Sequence, residues 1–157
     1  MRRQMRIAEF LKPDAVVEEL RSTSKTEILR ELSAALARTN PNISPQRLAT
    51  VLEERERVNS TGVGEGVAIP HGKLPELSSL SASFGVCRAG IDFDAHDKKP
   101  TFLFFALVAP ENSAGLHLKA LARISRLFRN ASFRESILAA RGAQEIYSLI
   151  LQEDAKA

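Results

Sequence analysis

The sequence predicts an α+β fold: one domain over residues 1–157, built in three layers, α/β/α, around a mixed central sheet. Three observations lead there. Two helical stretches open the chain, runs rich in Phe, Val and Ala fill its middle, and the last third returns to helical spacing; helices at both ends of a strand-rich centre pack onto that centre. The run over 101–109, Thr-Phe-Leu-Phe-Phe-Ala-Leu-Val-Ala, is apolar on both faces, the mark of a central strand covered from both sides. The 157 residues, 44% hydrophobic and 26% charged, suit a single globular domain that removes about 68–70% of its unfolded surface from water.

The elements follow in order. Residues 6–11 suit a short helix closed before Pro13, and 15–20, around Val16 and Val17, a first strand. Ser24-Lys-Thr-Glu27 is a capping-box pattern, in which the serine accepts from the N3 amide and the glutamate reaches back. Ile28, Leu32, Ala35 and Leu36 then recur at helical spacing up to Asn40-Pro41. Ser44-Pro45 opens a second helix, with proline at a position whose amide has no helical partner to lose; Leu48, Val51 and Leu52 form its apolar stripe, and its end, Glu53 to Arg57, is densely charged. Val67-Ala-Ile69 is a short apolar run between glycines and Pro70. Residues 83–88 and 101–109 read as strands, joined by a polar loop over 92–100. Leu118, Leu121, Ala122, Ile124 and Phe128 suggest one broad buried helix face. Phe133, Ile137 and Leu138 suggest a further helix, and Ile146, Leu149 and Ile150 a last one beyond Gly142.

Composition narrows the function classes. The formal charge is +3, from 22 Lys and Arg against 19 Asp and Glu. These charges are dispersed along the chain and form no nucleic-acid footprint. Arg2, Arg3 and Arg6 make a basic start that reads as a solvated chain end. The single cysteine, Cys87, lies in a β-like run and reads as a buried thiol in a reducing compartment. No apolar run reaches the roughly 18 residues that cross a bilayer, and the start lacks a signal-peptide apolar region. The expectation is a cytoplasmic protein without membrane insertion.

The stretch that carries chemistry is Ser60-Thr-Gly-Val-Gly-Glu-Gly-Val-Ala-Ile-Pro-His-Gly-Lys73. It lacks the Gly-Lys-Ser/Thr ending of a phosphate-binding loop, and an apolar run rather than a helix follows its glycines, so it is no dinucleotide fingerprint either. Pro70 fixes the backbone ahead of His71, and Gly72 leaves room beside it. These features suit an exposed, oriented imidazole at the end of a strand. On the residues alone, a loop histidine without a role fits equally well.

Residues 55–73 resemble the signature of the fructose/mannitol-type enzyme IIA domains of the phosphotransferase system, EIIA type-2. That signature ends in apolar-Ala-apolar-Pro-His-Gly, here Val67-Ala-Ile-Pro-His-Gly72. The nitrogen-regulatory branch is the nearest: its Arg-Glu-basic-x-x-Ser-Thr-Gly-apolar-Gly pattern is matched by Arg55-Glu-Arg-Val-Asn-Ser-Thr-Gly-Val-Gly64. The likeness continues through Ile91-Asp-Phe-Asp-Ala-His-Asp97, the strand ending at Pro110, and His117-Leu-x-x-Leu121. It spans nearly the whole chain and implies a single EIIA type-2 domain over 1–157.

The resemblance implies that His71 is the phosphorylated residue, that His117 is the second active-site histidine at a helix start, and that Arg55 is the arginine ahead of the Ser-Thr-Gly turn. The implied donor is a histidine-phosphorylated carrier protein of the HPr or NPr kind; the acceptor is a regulated protein or an enzyme IIB. Transfer between imidazoles needs neither metal nor other cofactor. It needs a neutral ring nitrogen, which an ordinary histidine with a pKa near about 6.5 supplies at pH 7, together with positioning and charge stabilisation. Arg55 offers a bidentate fork to phosphoryl oxygens, the Ser60 and Thr61 hydroxyls are further candidate phosphate donors, and His117 stands where helix amides favour an anion. Plainer readings stand beside these. Arg55 lies in Glu53-Glu-Arg-Glu-Arg57, a pattern typical of a solvated helix end, and His117 suits a helix-cap residue. His96 reads as exposed and inert, Glu65 has no assigned role, and Lys73 and Lys119 suit either an acidic partner or plain solvation. Three functions remain open: a regulatory phosphocarrier, a sugar-uptake enzyme IIA, and a binding module without phosphoryl chemistry.

Overall fold

The structure, a computed structural model, describes residues 4–156; Arg2 and Arg3 lie outside the described residues. A 3-10 turn, Ile7–Glu9, leads into β1 (Leu11–Val17), followed by α1 (Lys25–Arg38) and α2 (Pro45–Val58). The middle holds β2 (Gly62–Gly64), β3 (Val67–Ala68), β4 (His71–Leu74), β5 (Ser81–Ile91) and β6 (Thr101–Pro110); α3 (Ala114–Phe128), α4 (Ala131–Ala139) and α5 (Ala143–Ala155) complete the chain. The strand order is β1-β5-β6-β3-β2, with β4 also paired to β6. Parallel pairs (β1/β5, β3/β6, β4/β6) and antiparallel pairs (β5/β6, β2/β3) make the sheet mixed.

The sheet is buried on both faces, as the run over 101–109 predicts. Phe104 and Phe105 are neighbours with opposite directions. Phe104 packs with Ile28, Leu32, Leu48 and Leu52 under α1 and α2. Phe105 packs with Phe84, Phe128, Ile137, Ile146 and Ile150 under α3, α4 and α5. Cys87 is a buried thiol in the first of these layers. Among the described residues no helix is long and apolar enough to cross a membrane.

Local signals account for the helix starts. The Ser24 hydroxyl accepts from the Glu27 amide, and the Glu27 carboxylate answers the serine hydroxyl rather than its backbone N–H. Ser44 caps α2 in the same way through the Arg47 amide. Three expectations shift. The first strand begins at Leu11, not 15, and runs through Pro13; β1 is an edge strand whose pairing to β5 is interrupted between Leu11 and Val16, so the missing proline N–H costs the ladder nothing. The turn before it shrinks to three residues. The buried face of α3 is rotated from the expected one: His117, Ala120, Arg123, Ile124, Leu127 and Phe128 are buried, whereas Leu118 is 67% exposed.

Candidate active site

β3 and β4 run along the same edge of β6, at Leu103–Phe104 and at Leu107–Pro110 respectively. Between them lie Ile69 and Pro70, and Pro70 has no N–H to donate. His71 therefore opens a strand after a break rather than ending one, as the sequence suggests. The break frees the Ile69 carbonyl, and His71 Nδ1 lies 2.7 Å from that oxygen. A carbonyl only accepts, so Nδ1 carries the proton and Nε2 keeps its lone pair. Ile69 is anchored in turn, its amide donating to the Thr61 carbonyl at 3.0 Å.

Gly72 brings a helix onto this strand. A Cβ at position 72 would stand 2.5 Å from Val51 Cγ1 on α2, so only glycine allows α2 to settle so close to β4. The space beside His71 is thus filled by a helix. Arg55 lies four residues after Val51, one turn along the same face, and reaches the cleft that His71 lines. Its Nη1 donates to the backbone and side-chain oxygens of Asn59 at 3.0 and 3.1 Å, which orients the guanidinium.

His117 enters from the opposite side, in the first turn of α3, its amide donating to the Ser113 carbonyl. The two imidazoles stand edge to face, centroids 5.5 Å apart at 75°. His117 is 6% exposed, and its buried Nε2 has no hydrogen-bond partner among the described residues. The surrounding cleft measures about 730 Å³ and is also lined by Lys73, Glu54 and Glu111. Burial lowers the His71 pKa, and the Arg55 charge lowers it further, against the opposing Ile69 hydrogen bond. Burial, with His71 and Lys73 adding to it, pushes His117 down to about 4. Both rings are neutral at pH 7.

The structure brings His71, His117 and Arg55 together; Ser60 and Thr61 it does not. Neither lines the cleft. The Ser60 hydroxyl donates to the Phe93 carbonyl at 2.8 Å and accepts from the Gly62 amide. Thr61 is buried and gives both its amide and its hydroxyl to the Glu56 carboxylate. These hydroxyls are used in building the turn, so the expectation of phosphate donors at 60 and 61 is corrected. Glu56 lies inside a charged run, which hides its role in the sequence. It is 7% exposed, pairs with Lys25 at 3.0 Å, and joins α2 to the turn that holds Ile69. The signal was its place immediately after Arg55 in the Arg-Glu pattern. The three glycines at 62, 64 and 66 serve the β2–β3 hairpin, where Gly64, Glu65 and Gly66 all have positive φ. His96 is exposed, and its ring meets the Ser60 carbonyl at 3.2 Å. Among the described residues no cluster of three or more His, Cys, Asp or Glu is arranged to hold a metal.

The chain is similar to known proteins over nearly its whole length. The chain is 41% identical over 146 residues to a nitrogen regulatory protein of Bradyrhizobium diazoefficiens, covering 93% of this chain and 95% of that one. It is 31% identical over 150 residues to a fructose-specific EIIABC component of Bacillus subtilis, matching 96% of this chain but only 24% of that longer protein. Its fold superposes on the crystal structure of nitrogen regulatory protein IIA-Ntr from Neisseria meningitidis with a TM-score of 0.86 at 34% identity, covering 92% and 98% of the two chains. Residues 9–153 match the family model described as phosphoenolpyruvate-dependent sugar phosphotransferase system, EIIA 2, and the chain belongs to that family.

Proposed function

We propose that this chain accepts a phosphoryl group on Nε2 of His71 from a histidine-phosphorylated carrier protein of the HPr or NPr kind, and that the phosphorylated state regulates a partner. Membership of the EIIA family supports a phosphocarrier role. The observation that carries the assignment to His71 is its hydrogen bond to the Ile69 carbonyl, which leaves Nε2 as the unprotonated nitrogen on a cleft shared with Arg55 and His117.

The reaction follows from that geometry. The Nε2 lone pair attacks phosphorus, the bond to the donor imidazole breaks, and the donor ring leaves with its electron pair. Arg55 binds phosphoryl oxygens through its free guanidinium hydrogens, and a neutral His117 offers a ring N–H to the same oxygens. Such preorganised donors act on charge that spreads over the transferring group. Glu56, Ser60 and Thr61 are positioning residues: they hold the turn whose carbonyl anchors Ile69. The exchange takes place in the cytoplasm, where the Cys87 thiol stays reduced.

Two relatives bear on what happens next. The likeness to nitrogen regulatory proteins over nearly their whole length favours regulation. The likeness to one quarter of a fructose-specific protein favours an alternative, in which the phosphoryl group passes to an enzyme IIB. The test is incubation with enzyme I, its carrier and phosphoenolpyruvate. Wild type gains acid-labile phosphate, and His71→Ala gains none while keeping its circular dichroism spectrum; equal labelling of the two refutes the assignment. Rapid onward transfer to a sugar-specific enzyme IIB decides for uptake.

A further inference from the structure

A second cavity, of about 720 Å³, lies between the β2–β3 hairpin and the junction of α3 with α4. Its size falls in the range of small-molecule sites. Its floor is apolar: Val67, Ile69 and Phe128 line it and are each 3% exposed. Its polar side chains are two guanidiniums, the Ser125 hydroxyl and, at the rim, the exposed Glu65 carboxylate. Arg129 is exposed and makes no ion pair among the described residues. Arg134 is more deeply set, its side chain 14% exposed. Its Nη1 donates to the Phe128 and Arg129 carbonyls at 2.7 and 2.9 Å, which fixes the fork without neutralising it. The nearest carboxylate, Glu65, stands 3.5 Å from Nη2 on a side chain that is 79% exposed. Of the two cations, one thus has a loose counter-ion and the other has none among the described residues, over an apolar floor. Glu65 is itself held at φ +57°, a conformation non-glycine residues rarely adopt.

We propose that this cavity binds a small molecule carrying an oxyanion, phosphate or carboxylate, on an apolar body, and that occupancy acts on His71. The oxyanion displaces the Glu65 carboxylate and bridges Arg129 and Arg134; the apolar body lies on Val67, Ile69 and Phe128. The route to the active site is one residue long. Ile69 lines this cavity, while its carbonyl, on the same peptide strap, holds Nδ1 of His71. A ligand that shifts Ile69 changes the orientation of the imidazole. The binding claim stands on the cavity alone; its consequence for phosphoryl transfer rests on His71 as the acceptor.

The test is a nuclear magnetic resonance titration of the unphosphorylated chain with hexyl phosphate and hexanoate, with hexanol and inorganic phosphate as controls. At least one amphipathic anion shifts the amides of Gly64, Glu65, Ser125 and Arg129 saturably, with a Kd below about 1 mM, and moves the ring signals of His71. Arg129→Glu weakens binding about tenfold or more, and Glu65→Gln tightens it by removing the competing carboxylate. Opposite effects of two exposed substitutions cannot arise from loss of fold. No saturable shift, or indifference to both variants, overturns the site. Shifts confined to the cavity with the His71 ring unmoved overturn the coupling, whatever the labelling assay shows. If hexyl phosphate and hexanoate bind equally, the site reads the charge; a preference identifies the natural head group.

Discussion

The cleft and the cluster around Asp154 both bury polar side chains and treat them in opposite ways. Asp154, 2% exposed, is saturated: one carboxylate oxygen accepts from the Ile7 amide, the other from Arg123 Nε, and its backbone carbonyl takes Arg6 Nη1 and Arg123 Nη2. His117, at 6% exposure on the same helix as Arg123, leaves Nε2 without a partner among the described residues. Buried polar groups are normally paired. A saturated cluster ties the two ends of the chain to α3 and holds it still; an unsatisfied one keeps bonding capacity for something that arrives later. One helix therefore carries a fastening and, on the proposed function, a receptor about two turns apart.

The comparison can be broken at either end, and the largest effect lies in the fastening. Arg123→Met leaves the Asp154 charge buried without its partner, and should lower unfolding free energy by about 3–5 kcal/mol, read from urea midpoints, with little change in the transfer rate of the folded fraction. A slowed rate at intact stability would move Arg123 into the chemistry. His117→Ala should do the reverse. Transfer measured by rapid quench slows by about 10²–10³-fold, the usual result of removing one donor from a preorganised set, with stability nearly unchanged.

Acid sharpens the contrast. A histidine near 6.5 in the unfolded chain and held at about 4 in the fold takes up a proton on unfolding. Neutral in both states above about pH 6.5, it costs nothing there; as pH falls toward 4 the fold loses about 3.4 kcal/mol, at about 1.36 kcal/mol per pH unit. His117→Ala should flatten that limb of the stability–pH curve; an unchanged slope would place the proton uptake elsewhere. Arg55→Ala is expected to have the smallest effect, slowing transfer about 10–100-fold through loss of charge-assisted bonds. Its thermal midpoint should hold, because among the described residues the guanidinium is tied only to Asn59.

Sequence reading succeeded where the causes were local. Ser24 and Ser44 stand beside the amides they cap, the double-faced pattern of β6 lies within ten residues, and Pro70-His71-Gly72 carries its own backbone constraints. It failed where partners are distant in the chain. Arg123 and Asp154 are 31 residues apart, and no spacing rule joins them. Leu118 falls on the helical period of the apolar residues in α3 yet faces outward at the rim of the cleft, because His117 and Arg123 take inward places that hydrophobicity assigns to others. Ser60 and Thr61 looked available as hydroxyls next to a motif; their engagement by Phe93 and Glu56 became visible only once the turn was folded.

In the proposed reaction the short bond from the His71 ring to a main-chain oxygen outlasts the arrival of the phosphoryl group. With Nε2 phosphorylated as proposed, the proton retained on Nδ1 makes the ring cationic, and the Ile69 carbonyl stabilises that charge. When the next acceptor attacks, the imidazole departs as a neutral molecule and requires no acid to assist it. On that reading loading and unloading are symmetrical, and the direction of any onward flow is set by the phosphorylation levels of the partners on either side.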